Sequence, residues 1–151
     1  MIEVKAVTPG DDIDAIVALI TASPWSENSE INPDDYSVDT VERCVNNEQQ
    51  IFCVASLDGK FAGMASAFVL HKPDGDVWLY VDEVDVCADA QQKGVGTAIM
   101  HFLFTYGKKY DCNEVWLGTE KDNVAANAFY QSQQPTEVED FVGYLYKTQL
   151  R

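Results

Sequence analysis

The run Glu83-Val84-Asp85-Val86-Cys87-Ala88-Asp89-Ala90-Gln91-Gln92-Lys93-Gly94-Val95-Gly96-Thr97-Ala98-Ile99-Met100 constrains this chain most: an apolar strand, a turn with two glycines, and the opening of an amphipathic helix. Glycine at 94 and 96 lets backbone approach a ligand with no Cβ in the way, and the helix directs unpaired N–H groups outward. Its dipole favours negative charge, so the junction suits a pyrophosphate. The same spacing also serves an ordinary strand-to-helix turn. A P-loop is excluded, since no Gly-Lys-Ser or Gly-Lys-Thr stands in the chain, and a G-x-G-x-x-G fingerprint fits weakly, since it would need glycine at 99, where Ile99 stands.

The 151 residues suffice for one domain, 1–151, with a single core, and 46% hydrophobic residues place the chain among folded globules. Met1-Ile2-Glu3-Val4-Lys5 lacks a charged region followed by an apolar run, and no apolar stretch approaches a membrane span, so a cytoplasmic protein without membrane partners is expected. With 25 acidic against 10 basic residues the net charge is −15, which disfavours nucleic acid and favours a cationic partner. A generally acidic, solubilising surface would give the same number. Cys44, Cys53, Cys87 and Cys112 form no C-x-x-C pair and have only His71 and His101 for company, so no metal site is expected.

Apolar periodicity lays out the elements. Ile2 to Val7 reads as a strand; Ile13, Ile16, Val17 and Ile20 stripe a helix. Residues 21 to 37 form an acidic loop with Trp25 and Tyr36, and a second helix runs from about Val38 to Asn46. Ile51 to Ser56 and Phe61 to His71 make a hairpin about Asp58-Gly59, and Val77 to Cys87 feeds the glycine turn. After the third helix, Asn113 to Thr119 is a buried strand, 123 to 132 a short helix, and Phe141 to Tyr146 a closing strand. The order β-α-α-β-β-β-α-β-α-β describes an α/β fold, a mixed sheet with helices on both faces.

Gln91, Gly94 and Gly96 make Q-x-x-G-x-G, and Asn123-Val124-Ala125-Ala126-Asn127-Ala128-Phe129-Tyr130 fits N-x-x-A-x-x-F-Y. In this order and separation the two elements resemble the acetyl-coenzyme A site of the GNAT superfamily of N-acetyltransferases, and with the element layout the resemblance covers nearly the whole chain. It implies acetyl-CoA as co-substrate. Gln91, Gln92, Lys93, Gly94, Val95, Gly96 and Thr97 would cradle its pyrophosphate, Val84 and Val86 would offer backbone to the pantetheine amides, and Asn123 with Ala126 would border the pantetheine arm.

Acetyl transfer to an amine requires a proton acceptor for the amine and a proton for the departing thiolate. Strand alternation puts Glu83 and Asp85 on the face opposite Val84 and Val86, with Asp82 pointing the other way unless a bulge shifts the parity. By the resemblance Glu83, eight residues before Gln91, is the general base and Tyr130 the general acid, and Asp85, on the same face as Glu83, would position the amine. Solvated acids at a sheet edge and a packed aromatic at a helix end are the bland alternatives. A covalent route through Cys87 lacks a neighbouring histidine.

Gly63 to Pro73 followed by Val77 to Glu83 resembles the type I aminoglycoside 3-N-acetyltransferases, which run G-x-x-x-A-Y-V-L-P-K into an aromatic-rich strand carrying an acid. That resemblance implies a primary amine of a cationic small molecule as acceptor, bound with the help of Glu137, Glu139 and Asp140; the 21 to 37 loop has no residue-level match to the family, and Glu27, Asp34, Asp35 and Tyr36 are acceptor contacts expected from charge and place alone. Gln131-Ser132-Gln133-Gln134-Pro135 departs from the usual x-x-G-[FI] after the tyrosine. A polyamine, a protein or peptide amine, or a non-catalytic acyl-CoA sensor are the other readings, and a homodimer is an admissible assembly.

Overall fold

The computed structural model describes residues 1–27 and 29–149; Asn28, within the expected acidic loop, and residues 150–151 lie outside them. The chain divides into two compact units, Met1–Gly118 and Thr119–Arg151. The first holds β1 (Ile2–Ala6), α1 (Ile13–Ala22), α2 (Val38–Val45), β2 (Gln50–Leu57), β3 (Lys60–His71), β4 (Val77–Val86), α3 (Val95–Lys109) and β5 (Glu114–Trp116). The strands form one mixed sheet in the order β1-β2-β3-β4-β5, antiparallel except for the parallel β4–β5 pair.

Local chemistry sets these elements. Asp12 caps α1 by accepting from the Ala15 amide, and Ser37 with Thr40 forms a capping box on α2. Asp58 and Gly59, both at positive φ, make the two-residue turn between β2 and β3. On one face of the sheet, Ile13, Ile16 and Ile20 of α1 and Val41 of α2 close over Phe52 and Met64. On the other lies α3, whose Val95, Ile99, Met100 and Leu103 are almost fully buried, each contributing about 1.5–3 kcal/mol.

The second unit contains α4 (Val124–Ser132). The expected mixed α/β fold is present, with two corrections. The buried strand expected over Asn113 to Thr119 is only Glu114–Trp116, with Glu114 exposed and Val115 and Trp116 half-buried. Phe141 to Tyr146 is not a strand; Val142, Tyr144, Leu145 and Tyr146 are each more than 70% exposed. Its apolar alternation supplies β propensity, but a strand exists only where a neighbour completes its ladder, and Gly143 weakens it further.

Candidate functional site

The bulge in β4 organises the site. Ser66 pairs with Glu83 but Ala67 pairs with Val81, so Asp82 is an extra residue in the ladder. The expectation that Asp82 points away from Glu83 is therefore wrong: Ser66, opposite Glu83, donates its hydroxyl to Asp82 Oδ2 at 3.4 Å. Val86 pairs with Gly63, where an added Cβ would come within 3.3 Å of Ile99 Cδ1, so Val84 and Val86 face α3. Asp82, Glu83 and Asp85 line the opposite face, continuing from Tyr80, which stacks on Phe68 at 4.9 Å and Trp116 at 5.1 Å.

The α1–α2 connection meets these acids. The Tyr36 hydroxyl donates to Glu83 Oε2 at 2.9 Å, and the Ser29 hydroxyl donates to Asp85 Oδ1 at 3.3 Å. A cavity of about 270 Å³ opens between this connection, α2 and the sheet. Glu30, Asp35, Tyr36, Ser66 and Glu83 give it polar walls, while Val41, Phe52 and Met64 give it an apolar one. Asp34, on the same single turn as Asp35, is exposed and not part of the lining. Burial first, and then the neighbouring Glu83, pushes the Asp85 carboxyl up to about 6. Burial and the same carboxylate hold the Tyr36 phenol well above its usual range, so it stays a donor.

The other face of the junction is backbone. Pairing with β5 spans only Trp78–Tyr80, so the outer edge of β4 runs past its neighbour from Val81 onward. That edge leads through one 3-10 turn, Ala88–Ala90, to Gly94 at φ 90°, which opens α3 with no side chain capping its N-terminus. Val84 and Val86 lie on the open stretch, and Gln91, Gln92 and Lys93 are exposed around the turn, whereas Val95 is buried in the core. The Lys93 ammonium donates to the Asp89 carbonyl at 2.8 Å. Backbone amides rather than side-chain charge are what the junction offers an anion. Cys87 is fully buried, and burial raises its thiol, which suits packing rather than nucleophilic attack.

In the second unit Asn123 caps α4, its side-chain oxygen accepting from the Ala126 amide at 3.1 Å. That oxygen serves the helix first. Tyr130 is partly buried in the last turn, its ring 5.2 Å from Phe129. Glu137, Glu139 and Asp140 are exposed, and Asp140 pairs with Lys121. Sequence reasoning missed Ser29, Glu30 and Ser66. Ser66 was findable as the strand partner of Glu83; Ser29 and Glu30 carry no pattern.

The model of the acetyltransferase (GNAT) family matches residues 16–134. No curated protein matches. Among solved structures, an aminoglycoside acetyltransferase, meta-AAC0020, from an uncultured soil metagenomic sample superposes with TM-score 0.81 at 19% identity, covering 98% of this chain and 97% of the other. AAC(6')-Iy in complex with a coenzyme A bisubstrate analog has TM-score 0.76 at 16% identity over 97% and 99%. A transcriptional regulator from Bacillus halodurans has TM-score 0.74 at 14% identity over 97% and 100%. At these identities the likeness is one of fold.

Proposed function

The chain belongs to the acetyltransferase (GNAT) family and is an acetyl-coenzyme A-dependent N-acetyltransferase; we propose that its acceptor is a primary amine of a cationic, aminoglycoside-like small molecule. The carrying observation is one strand with two duties: β4 presents backbone that β5 does not reach along its outer edge and three carboxylates on one face. Aminoglycoside acetyltransferases among the similar structures support the acceptor class.

The residues present fit acetyl-CoA. Backbone amides from Gln91 to Thr97 would hold the pyrophosphate at the uncapped α3 N-terminus, and the Val84 and Val86 backbone would pair with the pantetheine amides. Bound there, acetyl-CoA supplies the activated acyl group. Asp82, Glu83 and Asp85 draw in an ammonium; Glu83 takes its proton, directly or through a water, and Asp85 orients the amine. Tyr130 keeps the role its motif implies, donation of a proton to the departing thiolate. Asp34, Asp35, Tyr36, Glu137, Glu139 and Asp140 remain the acceptor-side set. The whole chain, 1–151, acts as one catalytic domain in this reading, and a cytoplasmic homodimer belongs to it; among the described residues no helix is long and apolar enough to cross a membrane.

Thiol release from acetyl-CoA with sisomicin, spermidine and amine-terminated peptides tests the assignment. Sisomicin should give the highest kcat/KM. A preference for spermidine or peptide moves the acceptor class, and no release with any amine leaves only a non-catalytic acyl-CoA-binding role.

A further inference from the structure

The Tyr36–Glu83 hydrogen bond joins residues 47 positions apart, at the wall of the cavity. Tyr36 is held from both sides. Its amide donates to the Pro33 carbonyl to close the 3-10 turn Pro33–Asp35, the next residue caps α2, and its ring packs partly buried against the core that α1 and α2 share with the sheet. Glu83 is itself exposed, and Asp82 and Asp85 flank it on the same face of the bulged strand. Like charges at that spacing push a free carboxylate toward solvent. A neutral donor fixed in place opposes this.

We propose that Tyr36 is a positioning residue: it grips Glu83 Oε2 and so aims the other carboxylate oxygen at the acceptor amine, rather than contacting the acceptor itself. A phenol has one hydrogen to give, and here it is given to the carboxylate. The raised pKa of Tyr36 keeps that hydrogen in place across the neutral range. The α1–α2 connection thereby sets the geometry of the acid on β4. This inference rests on the acceptor reading above and gives one of its residues a different task.

A double-mutant cycle tests it, read by calorimetric titration of sisomicin into protein saturated with coenzyme A, a complex that does not turn over. Tyr36→Phe should weaken sisomicin by about 10-fold, the loss of one hydrogen bond to a charged group, and leave coenzyme A affinity unchanged. Glu83→Ala should weaken it at least as much. The double variant should bind as Glu83→Ala alone does, because Tyr36 then has nothing to aim. Losses that multiply would mean that Tyr36 meets the acceptor directly, and a Tyr36→Phe that binds normally would mean that it positions nothing; either overturns the proposal while leaving the acceptor class intact. A wild-type protein that binds coenzyme A but no sisomicin overturns both. Thermal melts guard against misfolding: a Tyr36→Phe deficit in binding that scales with lost stability also counts against it.

Discussion

Replacing Asp85 by asparagine should stabilise the protein above neutral pH and disable it. The side chain is mostly withdrawn from water beside Glu83, with Glu30 and Asp82 adding negative charge, and its carboxyl is raised from 3.8 to about 6. The folded state therefore holds this proton more tightly than the unfolded chain does. Its stabilising contribution is complete below pH 3.8 and is lost as the pH rises through 6. A rise of about two units is worth roughly 2–3 kcal/mol. Asparagine keeps an oxygen to accept from Ser29 and carries no charge, so it avoids that loss. For a chain of this length the gain corresponds to a Tm increase of roughly 5–10 °C. Melts of both proteins from pH 4 to 8 should coincide at the acid end, separate through pH 6 and run parallel above it. Acetyl transfer should fall in the same variant, the signature of a group kept for function at a cost in stability. Equal Tm values at pH 8, or a gain that does not vary with pH, would refute the burial argument.

Other substitutions probe the same strand and its surroundings. Gly63→Ala places a Cβ 2.6 Å from the Asp85 carbonyl oxygen, so β3 or β4 must shift; denaturant unfolding should show a loss of about 1–3 kcal/mol, and acceptor KM should rise. Gly94→Ala has space around it but sits at φ 90°, so about 1–2 kcal/mol of strain should appear in unfolding together with weaker coenzyme A binding by calorimetry. Glu83→Gln should lower kcat by about 10²–10⁴-fold at saturating coenzyme, and unchanged turnover would remove it as the base. Tyr130→Phe should slow thiol release with little change in coenzyme affinity.

Much of this was legible in the sequence where a local rule governs. Stripes at helical spacing located α1 and α3, and the Asp58-Gly59 turn located the β2–β3 hairpin. The bulge leaves a trace in the sequence: Asp82 and Glu83 are consecutive polar residues between Val81 and Val84, which a regular half-buried strand would separate. Where a second segment decides, the sequence was silent. Nothing around Tyr36 says that its hydroxyl ends on Glu83, and the apolar alternation of Phe141 to Tyr146 cannot reveal that no neighbouring strand pairs with it. Asn123 shows a third kind of gap, since a side chain that caps a helix and one that meets a ligand are written with the same letter.

The shortest strand has the largest consequence. Because β5 is three residues long, the sheet is forked: β4 is a structural beam as far as Tyr80 and, in the coenzyme site we propose, a docking rail beyond it. Every additional residue of β5 that zipped onto β4 would satisfy two more backbone groups and stabilise the sheet, yet each would seal part of the rail that a strand-like ligand needs. Changes that lengthen this pairing should thus yield a sturdier molecule that excludes its own coenzyme, and a variant library sorted for heat resistance alone would drift toward a closed fork.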